Sequence, residues 1–413
     1  MKPIIQSLLD ADFYKFTMGQ VAFKRHPNVP VKYGFTNRTI KVPLAEFIRE
    51  DDLRFQLDHV RKLRFKSTEL HYLRGTDEYG DRMFCEPYLD FLEGLSLPDY
   101  NLQYQGDQFE LTFSGRWSEA IYWETIALSI INELYFRALL KRMSEFEREA
   151  VHAQGVLRLQ EKITKLRGLD LTLSEFGTRR RYSRKWQAYV SRVLATEIPK
   201  QFRGTSNTLL AMLLSLMPMG TSAHEMYMVY SGIFHGSDDE IRNSHNKVLR
   251  DWWEEYDYAL SIALTDTYGS EFFFRDFTRE QALNWKGFRQ DSGDPFEFGE
   301  RALAFYKNFD IDPMLKNWEK MIVFSDGLDT DTIIRLYERF HGRIHVSFGW
   351  GTNLTNDLGF KPLSLVIKAI KANGHGTVKL SDNMAKAMGE PGEIERFKYI
   401  FNHTNTSSQV CLV

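Results

Sequence analysis

The chain has 413 residues, 43% hydrophobic and 14% aromatic, enough for two domains or one large barrel with an extension around a substantial core. A formal net charge of -2 leaves no basic excess for nucleic acid or a membrane surface, so the expected partner is a small molecule. The two cysteines, Cys85 and Cys411, lie far apart without metal-ligand spacing and read as unpaired thiols, excluding a disulfide framework and a zinc site.

Residues 4–9 are apolar but broken by Gln6 and stopped by Asp10 and Asp12, which is no signal peptide. The most apolar segment, 209–217, is less than half the roughly 20 residues a membrane span needs, so a cytoplasmic protein is expected. Residues 1–124 mix helical periodicity at 44–59 with strand-like alternation at 109–113 and read as an α+β domain. A long apolar helix over 125–140 and a charged helix through about Lys165 follow.

From Leu171 onward a unit recurs: a short apolar run, a polar loop, a helical segment. The runs end at Glu175-Phe176, Phe202-Arg203, Leu264-Thr265, Phe288-Arg289, Val323-Phe324 and Ser347-Phe348. Alternating strand and helix predicts a parallel sheet, and this many units predicts a closed or nearly closed α/β barrel over 125–385. The polar loops would then share the C-terminal face of the strands, where barrel active sites lie. Residues 363–370 and 377–380, around Asn373-Gly374-His375-Gly376, read as a late hairpin, and 386–413 as a tail.

Candidate chemistry sits in those loops. Ser222 and Glu225 have capping-box spacing, which predicts a helix with Ser222 as N-cap and His224 in its first turn. Free N–H groups and the helix dipole there favour an anion and disfavour a protonated imidazole, leaving a neutral nucleophile able to carry a phosphoryl group. Arg179, Arg180 and Arg181 at a strand end are either a solvated run or the wall of a polyphosphate pocket. Phe176 beside them is either core or a platform for a flat heteroaromatic ring. Asp291 and Asp294 could meet ribose hydroxyls or a phosphate-bound Mg²⁺, or cap a helix that starts at Pro295; different aspartates can do each. Asp326-Gly327 and the Gly349 to Asn353 loop suit a phosphate, because glycines let backbone N–H groups approach.

Taken in order, these loops resemble nicotinate phosphoribosyltransferases over nearly the whole chain. The matching stretches are Leu8 to Lys15, Phe176-Gly177-Thr178-Arg179-Arg180-Arg181, Gly204-Thr205-Ser206-Asn207, Gly220-Thr221-Ser222-Ala223-His224-Glu225, Arg289 to Pro295, Phe324-Ser325-Asp326, Ser347 to Thr352 and Lys379-Leu380-Ser381-Asp382. The resemblance implies a type II phosphoribosyltransferase fold, an N-terminal α+β domain before an irregular α/β barrel, working as a homodimer with shared active sites. It implies that nicotinate is joined to phosphoribosyl pyrophosphate with release of pyrophosphate, coupled to ATP. Mg²⁺ would be held through the pyrophosphate, with no direct protein ligand.

The resemblance also assigns roles. His224 becomes the phosphohistidine, and Phe176 with the neighbouring subunit's tyrosine matching Tyr14 sandwiches the pyridine. Arg179 and Arg289 meet diphosphate or ring carboxylate, and Asp291 and Asp326 the ribose. Gly327, Gly349 and Gly351 meet the 5′-phosphate, although relatives often carry Asn-Leu where this chain has Gly327-Leu328. Arg38 and Lys379 are further phosphate ligands, and Thr205 and Thr352 belong to the same substrate-binding set. Ser206 stands where nicotinamide-using relatives place an aspartate, so its hydroxyl is expected to donate to the nicotinate carboxylate. The competing readings are a relative acting on nicotinamide and a non-enzymatic sugar-phosphate-binding barrel.

Overall fold

The computed structural model describes residues 2–78, 80–316 and 319–405. In chain order β1 (Pro30–Asn37), the short pair β2 (Asp77–Glu78) and β3 (Asp81–Arg82), β4 (Tyr100–Gln105) and β5 (Gln108–Arg116) come first. Strict alternation makes β5 a half-buried strand: Phe109, Leu111 and Phe113 point inward while Glu110 and Ser114 face solvent. Gly106, at φ +60°, supplies the tight turn that returns β4 onto β5. The single helix expected over 44–59 is two, Leu44–Phe47 and Glu50–Lys62, because Ile48 and Arg49 are extended.

The parallel half-barrel uses β6 (Thr172–Glu175), β7 (Phe202–Thr205), β8 (Met217–Pro218), β9 (Ile262–Leu264), β10 (Gly287–Gln290), β11 (Met321–Phe324) and β12 (His345–Trp350). Its order is β8-β7-β6-β12-β11-β10-β9, so β12 closes back on β6 while β8 and β9 form the edges. Strands such as β9, buried at every residue, carry no alternation because helices cover the outer face. Each of the six apolar runs read from the sequence meets one of these strands, though β7 begins at Phe202, where its run ends, and takes in Gly204 and Thr205 of the expected loop. The seventh, β8, is two residues long and leaves no apolar run of its own to read.

The late hairpin takes a different form from its expectation. β13 (Leu365–Ala372) turns through Asn373 and Gly374, both at positive φ, into β14 (His375–Gly376), and the second arm is two residues long. Beyond it, Lys379 makes only an isolated bridge to Met388. β13 pairs antiparallel with β1, giving a five-stranded sheet of order β14-β13-β1-β5-β4. The apolar helix Trp123–Lys141 is buried through Phe136 and packs against both β13 and the 3₁₀ turn Thr178–Arg180, tying the two sheets together. Among the described residues no helix is long and apolar enough to cross a membrane. Cys85 is a half-buried free thiol, and Cys411 lies outside the described residues.

Candidate active site

The loops at the C-terminal ends of the half-barrel strands surround one cavity. After β6 come Phe176, Gly177, Arg179 and Arg180; after β7, Ser206; after β8, Gly220 and His224; after β11, Asp326 and Gly327; after β12, Gly351 and Thr352. Arg289 on β10 and Asp291 just beyond it face the same space. The other sheet contributes Arg38 and Lys368, the first helix Tyr14 with Asp12 before it, and the last loops Lys379 and Lys386. Seven lysines and arginines thus line a cavity holding three aspartates, Asp12, Asp291 and Asp326. A concave site with this surplus of positive charge selects an anionic ligand.

His224 is the first residue of the helix His224–Ile233, in keeping with its spacing from Ser222, but the capping box does not form. Ala223 is the N-cap, and the Glu225 carboxylate instead accepts from Tyr33 Oη (2.6 Å), Trp117 Nε1 (2.7 Å) and Lys15 Nζ (2.5 Å). Burial, reinforced by the Lys379 ammonium, pushes the His224 imidazole down to about 4, so it is neutral at physiological pH. Its Nδ1 lies 3.0 Å from Thr267 Oγ1, while Nε2 lies 2.9 Å from Asp291 Oδ2 and 2.8 Å from Lys379 Nζ. One ring nitrogen cannot both donate to Asp291 and accept from Lys379, so the two contacts belong to two tautomers. When Nδ1–H points at Thr267, Nε2 presents a lone pair toward the cavity.

Asp266 adds a second carboxylate near His224, its Oδ1 3.7 Å from Nε2, and completes a His-Asp-Asp cluster of metal-ligand type. Lys379 lies 3.5 Å from Asp266 and contacts His224, so an ammonium already supplies the positive charge that a metal would bring to these acceptors. Asp291 is held well below the usual carboxylate range: burial opposes this, but Arg289 and the hydrogen bond from His224 prevail.

The arginine triplet splits by function. Arg179 and Arg180 face the cavity, whereas Arg181 is fully buried and grips Asp10 through two hydrogen bonds of 2.6 and 2.9 Å. Burial and the neighbouring Arg179 and Arg38 cations push the Arg180 guanidinium down to about 10. Asp294 takes the structural role foreseen for one of the aspartates, capping the helix Pro295–Asn308 through the N–H groups of Phe296 and Glu297.

Several assignments change. Thr205 lies beneath the cavity, donating to Glu175 Oε2 at 2.5 Å, because its side chain is turned into the network below β6 and β7. Gly349 also lies beneath: a Cβ there would stand 2.5 Å from the Phe176 ring, so the glycine makes room for that ring to pack. Tyr14, on the helix Phe13–Arg25, lines the cavity of its own chain. Its hydroxyl is buried without a hydrogen-bond partner among the described residues. The Ser206 hydroxyl is committed to Asp12 Oδ1 at 2.6 Å, so its proton is not free for a substrate carboxylate. Gly327 sits at φ +58°, the left-handed region that glycine and asparagine tolerate best.

Three charged cavity residues escape a reading of the sequence: Asp12, Lys368 and Lys386. Asp12 lies within the Leu8 to Lys15 stretch, where nothing local marks its role. Lys386, whose ammonium pairs with Asp326 and donates to the Asp291 carbonyl at 2.9 Å, falls in the segment that reads as tail. Lys368 sits within an apolar strand and carries no local signal.

The nicotinate phosphoribosyltransferase (NAPRTase) family profile matches residues 171–405, and the profile of the family's N-terminal domain matches residues 9–132. Among solved structures, nicotinate phosphoribosyltransferase from Porphyromonas gingivalis is 30% identical with a TM-score of 0.85, covering 97% of this chain and 100% of its own. The Vibrio cholerae enzyme is 32% identical at TM-score 0.85, with 97% and 94% covered. A putative nicotinate phosphoribosyltransferase from Saccharomyces cerevisiae is 28% identical at TM-score 0.84, with 98% and 100% covered. The chain belongs to the nicotinate phosphoribosyltransferase family.

Proposed function

We propose that this protein joins nicotinate to phosphoribosyl pyrophosphate, giving nicotinate mononucleotide and pyrophosphate, and drives the reaction with ATP through a phosphorylated His224. The observation that carries the reading is a neutral, buried imidazole at a helix start, facing a cation-rich cavity that also holds Phe176 and Tyr14. The pyridine nitrogen attacks C1 of the sugar with its own lone pair as the bond to the diphosphate oxygen breaks. No proton has to be removed, so the site needs positive charge on the leaving group more than a strong base. Arg179, Arg180, Arg289 and Lys379 supply it, and Phe176 with Tyr14 holds the ring in line; orientation of this kind is worth up to roughly 7–11 kcal/mol.

Mg²⁺ would arrive with the diphosphate and neutralise it, facing Asp291 and Asp326, which suits a cavity whose His-Asp-Asp cluster is already served by Lys379. For the ATP step, His224 Nε2 attacks the γ-phosphorus, the bond to ADP breaks, and Thr267 receives the Nδ1–H hydrogen bond. The new phosphoryl group adds about two negative charges beside Lys379 and Arg289. We assign the working form as a homodimer in the cytoplasm.

A second reading, use of nicotinamide, is favoured by one observation: the Asp12 carboxylate, fixed by Ser206, faces the cavity and can accept from an amide NH₂. Incubation with phosphoribosyl pyrophosphate, Mg²⁺, ATP and each base, with pyrophosphate measured, separates the two. Nicotinate turnover several orders above nicotinamide supports the proposal, and the reverse preference sinks it. His224→Ala should lose all acid-labile phosphoryl label from ATP while keeping slow base transfer; a full label in this variant would remove His224 as acceptor.

A further inference from the structure

Below the cavity floor lies a charged cluster with an unequal count. Lys15, fully buried, bridges Glu124 and Glu225 at 2.5 Å each. Glu124 also accepts from Lys368 Nζ at 2.9 Å and Arg179 Nη1 at 3.2 Å. Three cations therefore share two carboxylates, and the surplus charge sits at the edge where Arg179 and Lys368 reach the cavity. A third carboxylate, Asp12, accepts from Ser206 and attracts Arg179 from beyond ion-pair distance, with no ion pair within 4 Å among the described residues, and leaves Lys368 to Glu124.

A buried excess charge is costly unless an anion completes it. We infer that Lys368 is a further substrate-binding residue: with Arg179, and held in place by Glu124, it clamps an anionic group of the substrate, carboxylate or phosphate. This rests on the proposed reaction for the identity of the substrates but not for the geometry. Lys368 comes from β13, in the sheet shared with the N-terminal strands, so the clamp gives that sheet a direct part in binding.

The groups facing Lys368 are Glu124 from the helix Trp123–Lys141, Arg179 from the 3₁₀ turn and Lys15 from the first helix. Burial, helped by Arg179 and Lys15 and opposed by Glu124, pushes its ammonium down to about 8. The clamp is charged below that pH and fades as pH rises through it. An anion bound there should therefore bind less well from pH 7 to 9. An arginine at the same position would stay charged and remove the dependence.

The test is calorimetric titration of wild type, Lys368→Met and Lys368→Arg with three probes, nicotinate, nicotinamide and phosphoribosyl pyrophosphate with Mg²⁺, at pH 7 and pH 9. Lys368→Met should weaken at least one anionic probe roughly ten- to hundredfold, the usual worth of a charged hydrogen bond. Loss confined to nicotinate identifies the ring carboxylate, and loss confined to the sugar diphosphate identifies a phosphate. Lys368→Arg should retain binding and flatten the fall between pH 7 and 9, which separates Lys368 from Lys379 and from a purely structural role. Unchanged affinity for all probes in folded Lys368→Met, or an equal pH dependence in Lys368→Arg, overturns the inference. Titration needs no turnover, so a wild type that binds the probes but makes no pyrophosphate would count against the proposed reaction and leave this result standing.

Discussion

Two layers of this site contain the same kinds of residues and use them oppositely. Below the strand ends, Arg181 is sealed against Asp10, with Gln187 accepting from Arg181 and Asn207 donating to Asp10, and Glu175 accepts from Thr205 and Gln187. One layer up, Arg179, Arg180, Arg289, Lys368, Lys379 and Lys386 outnumber the carboxylates they face. Around Arg181 the lower layer pairs its cation and holds the loops; the upper layer carries more cations than it pairs, which an anion would complete. Arg180 and Arg181 are adjacent in sequence, so what separates them is the compensating charge within reach of each.

The strongest test of that contrast exchanges the two effects. Arg181→Met leaves Asp10 buried without its cation and should lower the free energy of unfolding by about 3–5 kcal/mol. Arg180→Met removes a cation already pressed by Arg179 and Arg38, and should leave stability within about 1 kcal/mol of wild type. Urea unfolding and the KM for phosphoribosyl pyrophosphate, measured on both variants, should show the costs crossing over: stability for Arg181, anion affinity for Arg180. Equal stability losses would mean that the two layers are one network.

A smaller effect is expected where the upper layer meets the base. Phe176 follows β6 and packs over Gly349, and Phe176→Ala should weaken nicotinate by about 1–3 kcal/mol, as base-aromatic stacking does elsewhere. Gly349→Ala should reproduce part of that loss, since its new methyl displaces the same ring without touching the cavity. A nicotinate KM unchanged in both would remove the stacking role.

Legibility follows the same division. The strand ends and most of the upper layer can be read from the sequence, because a short apolar run stopped by a polar, glycine-rich loop is how a buried parallel strand ends, and because glycines and aspartates there carry local conformational meaning. What cannot be read, in either layer, is pairing across distance. Glu225 has capping-box spacing from Ser222, yet Lys15, Tyr33 and Trp117 outbid the local N–H groups for its carboxylate. Ser206 carries a free-looking hydroxyl whose partner, Asp12, is 194 positions away. Lys368 reads as an interruption in an apolar strand until β13 is known to pair with β1 and to bring that lysine against Glu124.

The finest expected effect concerns His224, which lies between the layers. A free histidine, near 6.5, would lose most of its nucleophilic form as pH fell from 8 to 5.5. Burial and Lys379 place this imidazole at about 4, below that window, so its lone pair should survive throughout. The initial rate of phosphoryl labelling from ATP, once corrected for ATP's own ionisation, should therefore vary less than about twofold between pH 8 and 5.5. Lys379→Met removes the cation that helps hold the imidazole neutral, leaving Asp266 and Asp291 to favour its protonation. The pKa then rises, and labelling should begin to fall at a higher pH than in wild type. A tenfold fall in wild type centred near pH 6.5 would show the imidazole to be solvated, and would place His224 with the open upper layer.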